Sequence, residues 1–381
     1  MMSNIKNFVK NLILAKSKKI NQPIMVFESD DWGSIRNSNA KNIASIKEKF
    51  SLKLDNYQSF DTLENDDDII NLKTVLFNNE NKMGSYPKFT LNYVLHNPDF
   101  ETTISNDYKT ISLLDTVSVY KKNNNCSKVL SEVKTNLCFK PQFHGYIHFN
   151  EHKILEELHM HGDNICKYAF KKNCIGFSDD YYCGMDACNT FQDSQRIKNN
   201  LIRGLKEFET IFGFASNSIC FPCYVWNDDL EELCRENGVK YLQGKVYQNI
   251  PIGKSKYKKK INIMGKCSNL YRIYLNRNID FEPSKFFLQG ASVDNCVSET
   301  MRQIDFVLKK KIPAVICSHR VNYVSGISLE CRNYSLDCLD RLLKRINQKY
   351  PNLKYLFSDE LGELYGNKIL QKHQKIKENM E

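Results

Sequence analysis

The chain has 381 residues, 41% of them apolar, and a formal net charge of +10. That length suits one large α/β domain or two smaller ones, and the apolar fraction excludes global disorder. The dense basic runs are short (Lys258-Lys259-Lys260 and Lys309-Lys310-Lys311), so the charge predicts solvated loops and helix faces, with no nucleic-acid partner.

Residues 1–20 carry Ile5, Phe8, Val9, Leu12, Ile13 and Leu14, interrupted by Lys6, Lys10 and Lys16. They read as a short, basic, amphipathic helix that packs on the protein's own body, with peripheral membrane contact as the alternative. The run is too broken for a signal peptide, and 14 scattered cysteines then predict reduced thiols in a cytoplasmic protein.

A strand is expected over 24–31, where Ile24-Met25-Val26-Phe27 leads to Glu28-Ser29-Asp30-Asp31. Adjacent carboxylates at the end of a buried strand need compensation, and a divalent cation would provide it. The acidic stretch 64–68 marks a loop or helix start, and residues 137–143 lead into His144-Gly145-Tyr146-Ile147-His148. Helices are expected over 151–159 and 197–212, with irregular chain over 162–190 between them. A strand at 218–221 follows, then a helix over 228–237 capped by Asn227 and stopped by Gly238. Further on come a strand at 239–242, a lysine-rich strand pair or long loop within 251–285, and a helix at 298–311. A strand at 313–317, a helix at 336–349, a strand at 354–357, a helix at 359–364 and a polar tail at 366–381 complete the pattern. Strands alternating with helices predict parallel βαβ units. Asp30 and Asp31, Cys223 and Tyr224, and His319 all follow strands, on the face where parallel barrels carry their active sites.

On a helical turn, residues four apart share a face, so His144 and His148 form a candidate chelating pair. A carboxylate from Asp30 or Asp31 would complete a two-histidine, one-carboxylate set, leaving the other aspartate as a general base. Neutral imidazoles suit zinc, with cobalt and nickel as alternatives. Cys220-Phe221-Pro222-Cys223 is a lone CxxC, with Cys183 and Cys188 as its nearest close pair. The chain has no GxxxxGK[ST], no GxGxxG after a strand and no GxSxG. Those absences count against phosphate-cradling loops and a serine-hydrolase mechanism.

In this order, the aspartate pair, HxxxH, Phe221-Pro222-Cys223-Tyr224 and Cys317-Ser318-His319 resemble the motifs of the polysaccharide deacetylase family (the NodB homology domain, carbohydrate esterase family four). The resemblance covers about residues 23–365. It implies an α/β fold, a distorted (β/α) barrel of about seven strands, with an inserted segment between the second and third motifs. The barrel domain would occupy 21–365, after the N-terminal helix and before the tail. The resemblance implies that Asp30 is the base, that Asp31, His144 and His148 hold the metal, and that His319 is the acid. It gives the Tyr224 backbone N–H to the oxyanion. The implied reaction removes an acetyl group from an N-acetylated sugar or polysaccharide precursor. Another amide or a glycosidic bond, or carbohydrate binding without catalysis, are the alternatives. The chain departs from the family pattern in three places. Phe221 stands where the third motif has an arginine, which leaves Arg36 and Arg320 as candidates for that charge. Cys317 replaces a leucine, and the fourth motif is not recognisable.

Overall fold

The apolar run at residues 24–27 opens the central strand β1 (Ile24–Trp32), whose nine residues are all buried. A strand buried on both faces calls for parallel neighbours covered by helices. The computed structural model describes residues 13–103, 109–124, 126, 128–177, 191–253, 256–270 and 272–367. The N-terminal expectation for residues 1–12, Cys183 and Cys188, and most of the polar tail lie outside these. Ile13 and Leu14, the last apolar residues of the first segment, are buried in the main core.

The neighbours of β1 are β2 (Phe89–Val94), β3 (Phe139–Gly145), β4 (Ser218–Cys220) and β5 (Tyr241–Gly244) on one side. Then come β6 (Ile273–Asn276), β7 (Ile279–Asp280), β8 (Ala314–His319) and the short β9 (Lys354–Tyr355). The strand order is β6-β5-β4-β3-β2-β1-β8-β7, with β9 also paired to β1. Every pairing in this sheet is parallel. The two ends of the order, β6 and β7, are consecutive in the chain. Between them the Arg277 N–H donates to the Gly244 carbonyl (2.7 Å) and the Asn278 N–H to the Val315 carbonyl (3.0 Å). One short stretch therefore binds both edges, and the sheet curls into the distorted barrel of an α/β fold. Among the described residues it has nine strands rather than about seven.

The helices start earlier than the apolar periodicity indicates, because their caps lie upstream of it. Ser292 caps Val293–Lys309 and Ser328 caps Leu329–Lys349 through their side chains. Asn227 caps Asp228–Glu236 by accepting the Leu230 N–H, and Gly238 follows the helix at a φ of 80°. The inserted segment holds the helices Glu151–His159, Ile165–Phe170 and Phe191–Phe212, with described non-helical chain at 160–164 and 171–177. The region 251–285 departs most from the expectation of a strand pair or loop. An antiparallel hairpin, Tyr247–Pro251 with Tyr257–Ile261, accounts for its first part. The rest contributes β6 and β7 to the main sheet. Among the described residues no helix is long and apolar enough to cross a membrane.

Behind β8 the fully buried Arg320 ties three loops together. Its guanidinium reaches Asp61 Oδ1 (2.8 Å), Glu64 Oε2 (3.0 Å) and the Ser34 carbonyl. Glu64 in turn accepts the Gly33 N–H at 2.9 Å, fixing the chain just after β1. Burial raises the Glu64 carboxyl more than Arg320 lowers it. Replacing the cation would leave buried Glu64 without a cation and Asp61 with Arg36 alone, so Arg320→Met is expected to destabilise the fold by about 3–5 kcal/mol. A denaturant titration with an unchanged slope and a lowered midpoint checks this.

Candidate active site

Alternate residues of a strand share a face, so Glu28 and Asp30 both project into the barrel. Asp31 would point the other way, but its φ is 71° and the β1–β2 register shifts between Ser29 and Trp32. A left-handed non-glycine residue costs about 1–3 kcal/mol, a strain that clusters at functional sites. The turn brings both carboxylates to one cavity of about 450 Å³ at the strand C-termini, with His144, His148, Tyr224 and His319 also in its walls.

Asp31, His144 and His148 converge. Asp31 Oδ1 lies 3.3 Å from His144 Nε2 and 3.1 Å from His148 Nε2. Ligands bound at about 2.1 Å from one ion sit about 3.0–3.4 Å apart, so these spacings fit a shared cation. The hydrogen bonding points the same way. His144 Nδ1 lies 2.6 Å from the Cys220 carbonyl, which can only accept, so Nδ1 carries the proton. A neutral His144 then turns the Nε2 lone pair toward a carboxylate oxygen, a repulsion that a cation between them removes. Burial alone would raise the Asp31 carboxyl, yet the facing imidazoles of His148 and His144 hold it well below the usual range. Burial lowers His148 more than Asp31 raises it, which favours the neutral, ligating form. The donor set fits zinc, with cobalt or nickel as alternatives. The helical-turn basis for the histidine pair is wrong. His144 ends β3 and His148 lies in the loop beyond it, because Gly145, at a φ of 145°, turns the chain.

Asp30 is held by an arginine that the sequence did not single out. Arg277 Nη1 lies 2.5 Å from Asp30 Oδ2, and Nη2 lies 2.6 Å from Oδ1. Its Nε donates to Glu28 Oε2 at 2.6 Å, and the guanidinium is fully buried. Burial opposes ionisation of Asp30, but Arg277, together with His144 and His319, outweighs it and holds the carboxyl well below its ordinary range. At Glu28 the balance reverses, and burial raises the carboxyl despite the same arginine. Neither Arg36 nor Arg320 takes this place. Arg36 approaches Asp31 Oδ2 at 3.7 Å and pairs with Asp61 at 3.1 Å, while Arg320 serves Asp61 and Glu64.

His319 has a partner of its own. Its Nδ1 lies 2.5 Å from Glu282 Oε1, and its Nε2 lies 3.8 Å from Asp30 Oδ2. Burial would lower the imidazole, but Glu282, with Cys317 and Asp30 adding to it, pushes it up to about 10, so it is charged at neutral pH. Tyr224 lines the cavity, but its backbone N–H donates to the Phe221 carbonyl at 2.9 Å. That closes a tight turn in which Cys223 and Tyr224 both have positive φ. The N–H is therefore not free for an oxyanion, and the hydroxyl instead meets Arg277 Nη1 at 3.2 Å. Cys220 of the CxxC sits buried beside Asp30, with its sulfur 3.3 Å from Arg277 Nη2. Arg277 and Glu282 escaped notice because each stands alone in a stretch with no motif spacing. Their one sequence signal is the short apolar run Ile273-Tyr274-Leu275 just before Asn276 and Arg277.

No protein-family model matches the chain, and no curated protein does. Several solved structures are similar to it. A probable polysaccharide deacetylase from Pseudomonas aeruginosa PAO1 has 9% identity and a TM-score of 0.45 over 90% of this chain and 91% of its own. A PuuE allantoinase has 9% identity and a TM-score of 0.45 over 90% of each chain. A 4-alpha-glucanotransferase from Thermococcus litoralis has 8% identity and a TM-score of 0.45 over 90% of this chain. The chain spans 40% of that enzyme's length.

The raised His319 has a definite pH signature. Its charged form stabilises the fold fully below the ordinary value of 6.5, and that contribution is lost as the pH rises toward about 10. Glu282→Gln removes the largest compensating charge, so the His319 titration is expected to fall from about 10 toward its ordinary value. Imidazole resonances followed by NMR across this range read the shift directly.

Proposed function

We propose that the protein is a metal-dependent hydrolase that removes an acetyl group from an N-acetylated sugar or polysaccharide precursor. The observation that carries this reading is the convergence of Asp31 Oδ1 with His144 Nε2 and His148 Nε2 at 3.1–3.3 Å, beside an Asp30–His319 pair. A divalent ion held there would supply Lewis-acid polarisation of a carbonyl and a more acidic attacking water.

The chain's own groups divide the remaining work. Asp30, kept anionic and oriented by Arg277, accepts the proton of the attacking water. His319, kept protonated by Glu282, donates a proton to the departing amine. Environments that push two titratable groups in opposite directions are a recurring way to assign base and acid. The burial of Asp30, Asp31, His144 and His148 limits solvent access at the reacting centre.

One observation favours a second reading. Both oxygens of Asp30 are engaged by Arg277, and a carboxylate so stabilised is a weak base. A cleft with this constraint also suits cleavage of another amide or glycosidic bond, or carbohydrate binding without turnover.

Metal analysis combined with an acetate-release assay on N-acetylated oligosaccharides separates these readings. Asp31→Asn, His144→Ala and His148→Ala are expected to lose both the ion and acetate release. Arg277→Met is expected to keep the ion and lose acetate release by about 100-fold. Acetate release by a metal-free variant would sink the proposal. Stoichiometric metal with no acetate released from any substrate would favour the second reading.

A further inference from the structure

A second cavity, of about 830 Å³, adjoins the catalytic cleft. The short helix Asn56–Phe60 is the partition. Tyr57 and Gln58 line the cleft, Asn56 and Ser59 line the second cavity, and Asp55, the helix's capping residue, lines both. The second cavity is thus an open groove that meets the cleft at one residue.

Its charge is one-sided. Lys47, Lys53 and Lys285 line it and are exposed. None of the three has a carboxylate within ion-pair distance among the described residues. Neighbouring Lys49, outside the groove, pairs with Asp163, and Lys88 and Lys140 pair with Glu360 and Asp359. Asp55 is the single carboxylate in the groove's lining, and its Oδ1 already accepts the Gln58 N–H at 2.8 Å. Three ammonium groups therefore face one committed carboxylate. Leu288, 44% exposed, adds an apolar surface of the kind that sugar rings cover.

We infer that this groove is a subsite for an acidic glycan chain, whose carboxylate groups meet Lys47, Lys53 and Lys285 while its acylated sugar enters the cleft. The inference rests on the carbohydrate reading of the cleft. It adds the substrate class, an anionic oligosaccharide or polymer rather than a neutral one. The cleft is rich in buried acids, so charge attraction for such a chain comes from the groove beside it.

Binding of the full-length protein to oligogalacturonate, measured by titration calorimetry against a chito-oligosaccharide of matched length, tests this. The acidic chain is expected to bind about tenfold more tightly, with an affinity that falls steeply as salt is raised. The combined variant Lys47→Glu, Lys53→Glu, Lys285→Glu, checked for an unchanged melting temperature, is expected to lose about that factor. Oligogalacturonate carries no acetyl group, so this binding is read without turnover, and failure of the hydrolase reading would leave the result standing. Equal affinity for both oligosaccharides or an unaffected triple variant would each overturn the assignment. So would tighter binding of single-stranded DNA than of the acidic glycan.

Discussion

The guanidinium of Arg277, placed inside the barrel where solvent does not reach, is the charge around which the rest of the site is arranged. Parallel barrels usually fill their interior with branched aliphatic side chains. Here Asn92 donates to Gln243 at 2.8 Å, Gln243 to Ser218 at 2.8 Å, and Ser218 to Gln142 at 3.0 Å. Ser358 closes the other side by donating to Glu28 at 2.7 Å. A buried cation without a counter-charge would cost several kcal/mol, and two buried carboxylates without a cation would cost more. The single arginine answers both demands unevenly. It keeps Asp30 ionised, while burial prevails at Glu28.

The same stretch of chain sets the opposite tendency a few residues on. Arg277 pulls Asp30 down and Glu282 pushes His319 up, so one segment biases the protonation of both groups that flank the candidate ligand set. The register of the sheet makes this possible. Asp30 lies directly beside His319 in the β1–β8 pairing, and β7 lies on the far side of β8. The left-handed turn at Asp31 then adds a second carboxylate to the same cavity without lengthening the strand.

Much of this was legible in the sequence, for identifiable reasons. The apolar run before Asp30, the Asn227 cap and the Gly238 stop are local signals, and the structure follows them. The α/β class follows from alternation alone. The candidate ligands and proton-transfer groups (Asp31, His144, His148, Asp30 and His319) are recognisable by type and order. Their supports are not. β6 and β7 have four and two residues, too short for a periodic pattern, and a lysine-rich hairpin precedes them. A polar barrel interior also removes the apolar alternation that normally marks a strand, which hid β2 and its Thr90 and Asn92. HxxxH suggested a helix because spacing alone cannot distinguish a helical turn from a strand end with a glycine bend. The N–H of Tyr224 was assigned by likeness, and only the backbone path through Cys223 revealed that it was already engaged.

The joint between β6 and β7 carries a consequence for how the molecule fails under stress. The backbone N–H of Arg277 anchors this joint to Gly244, while its side chain reaches across to Asp30. Short terminal strands open at free energies below that of global unfolding. Breathing at this joint withdraws the cation from the barrel while the remaining strands stay paired. The ionisation of Asp30 is therefore tied to the joint that links the two edges of the sheet. Mild denaturant or heat should raise the Asp30 titration before amide exchange in β1 reports any loss of the fold.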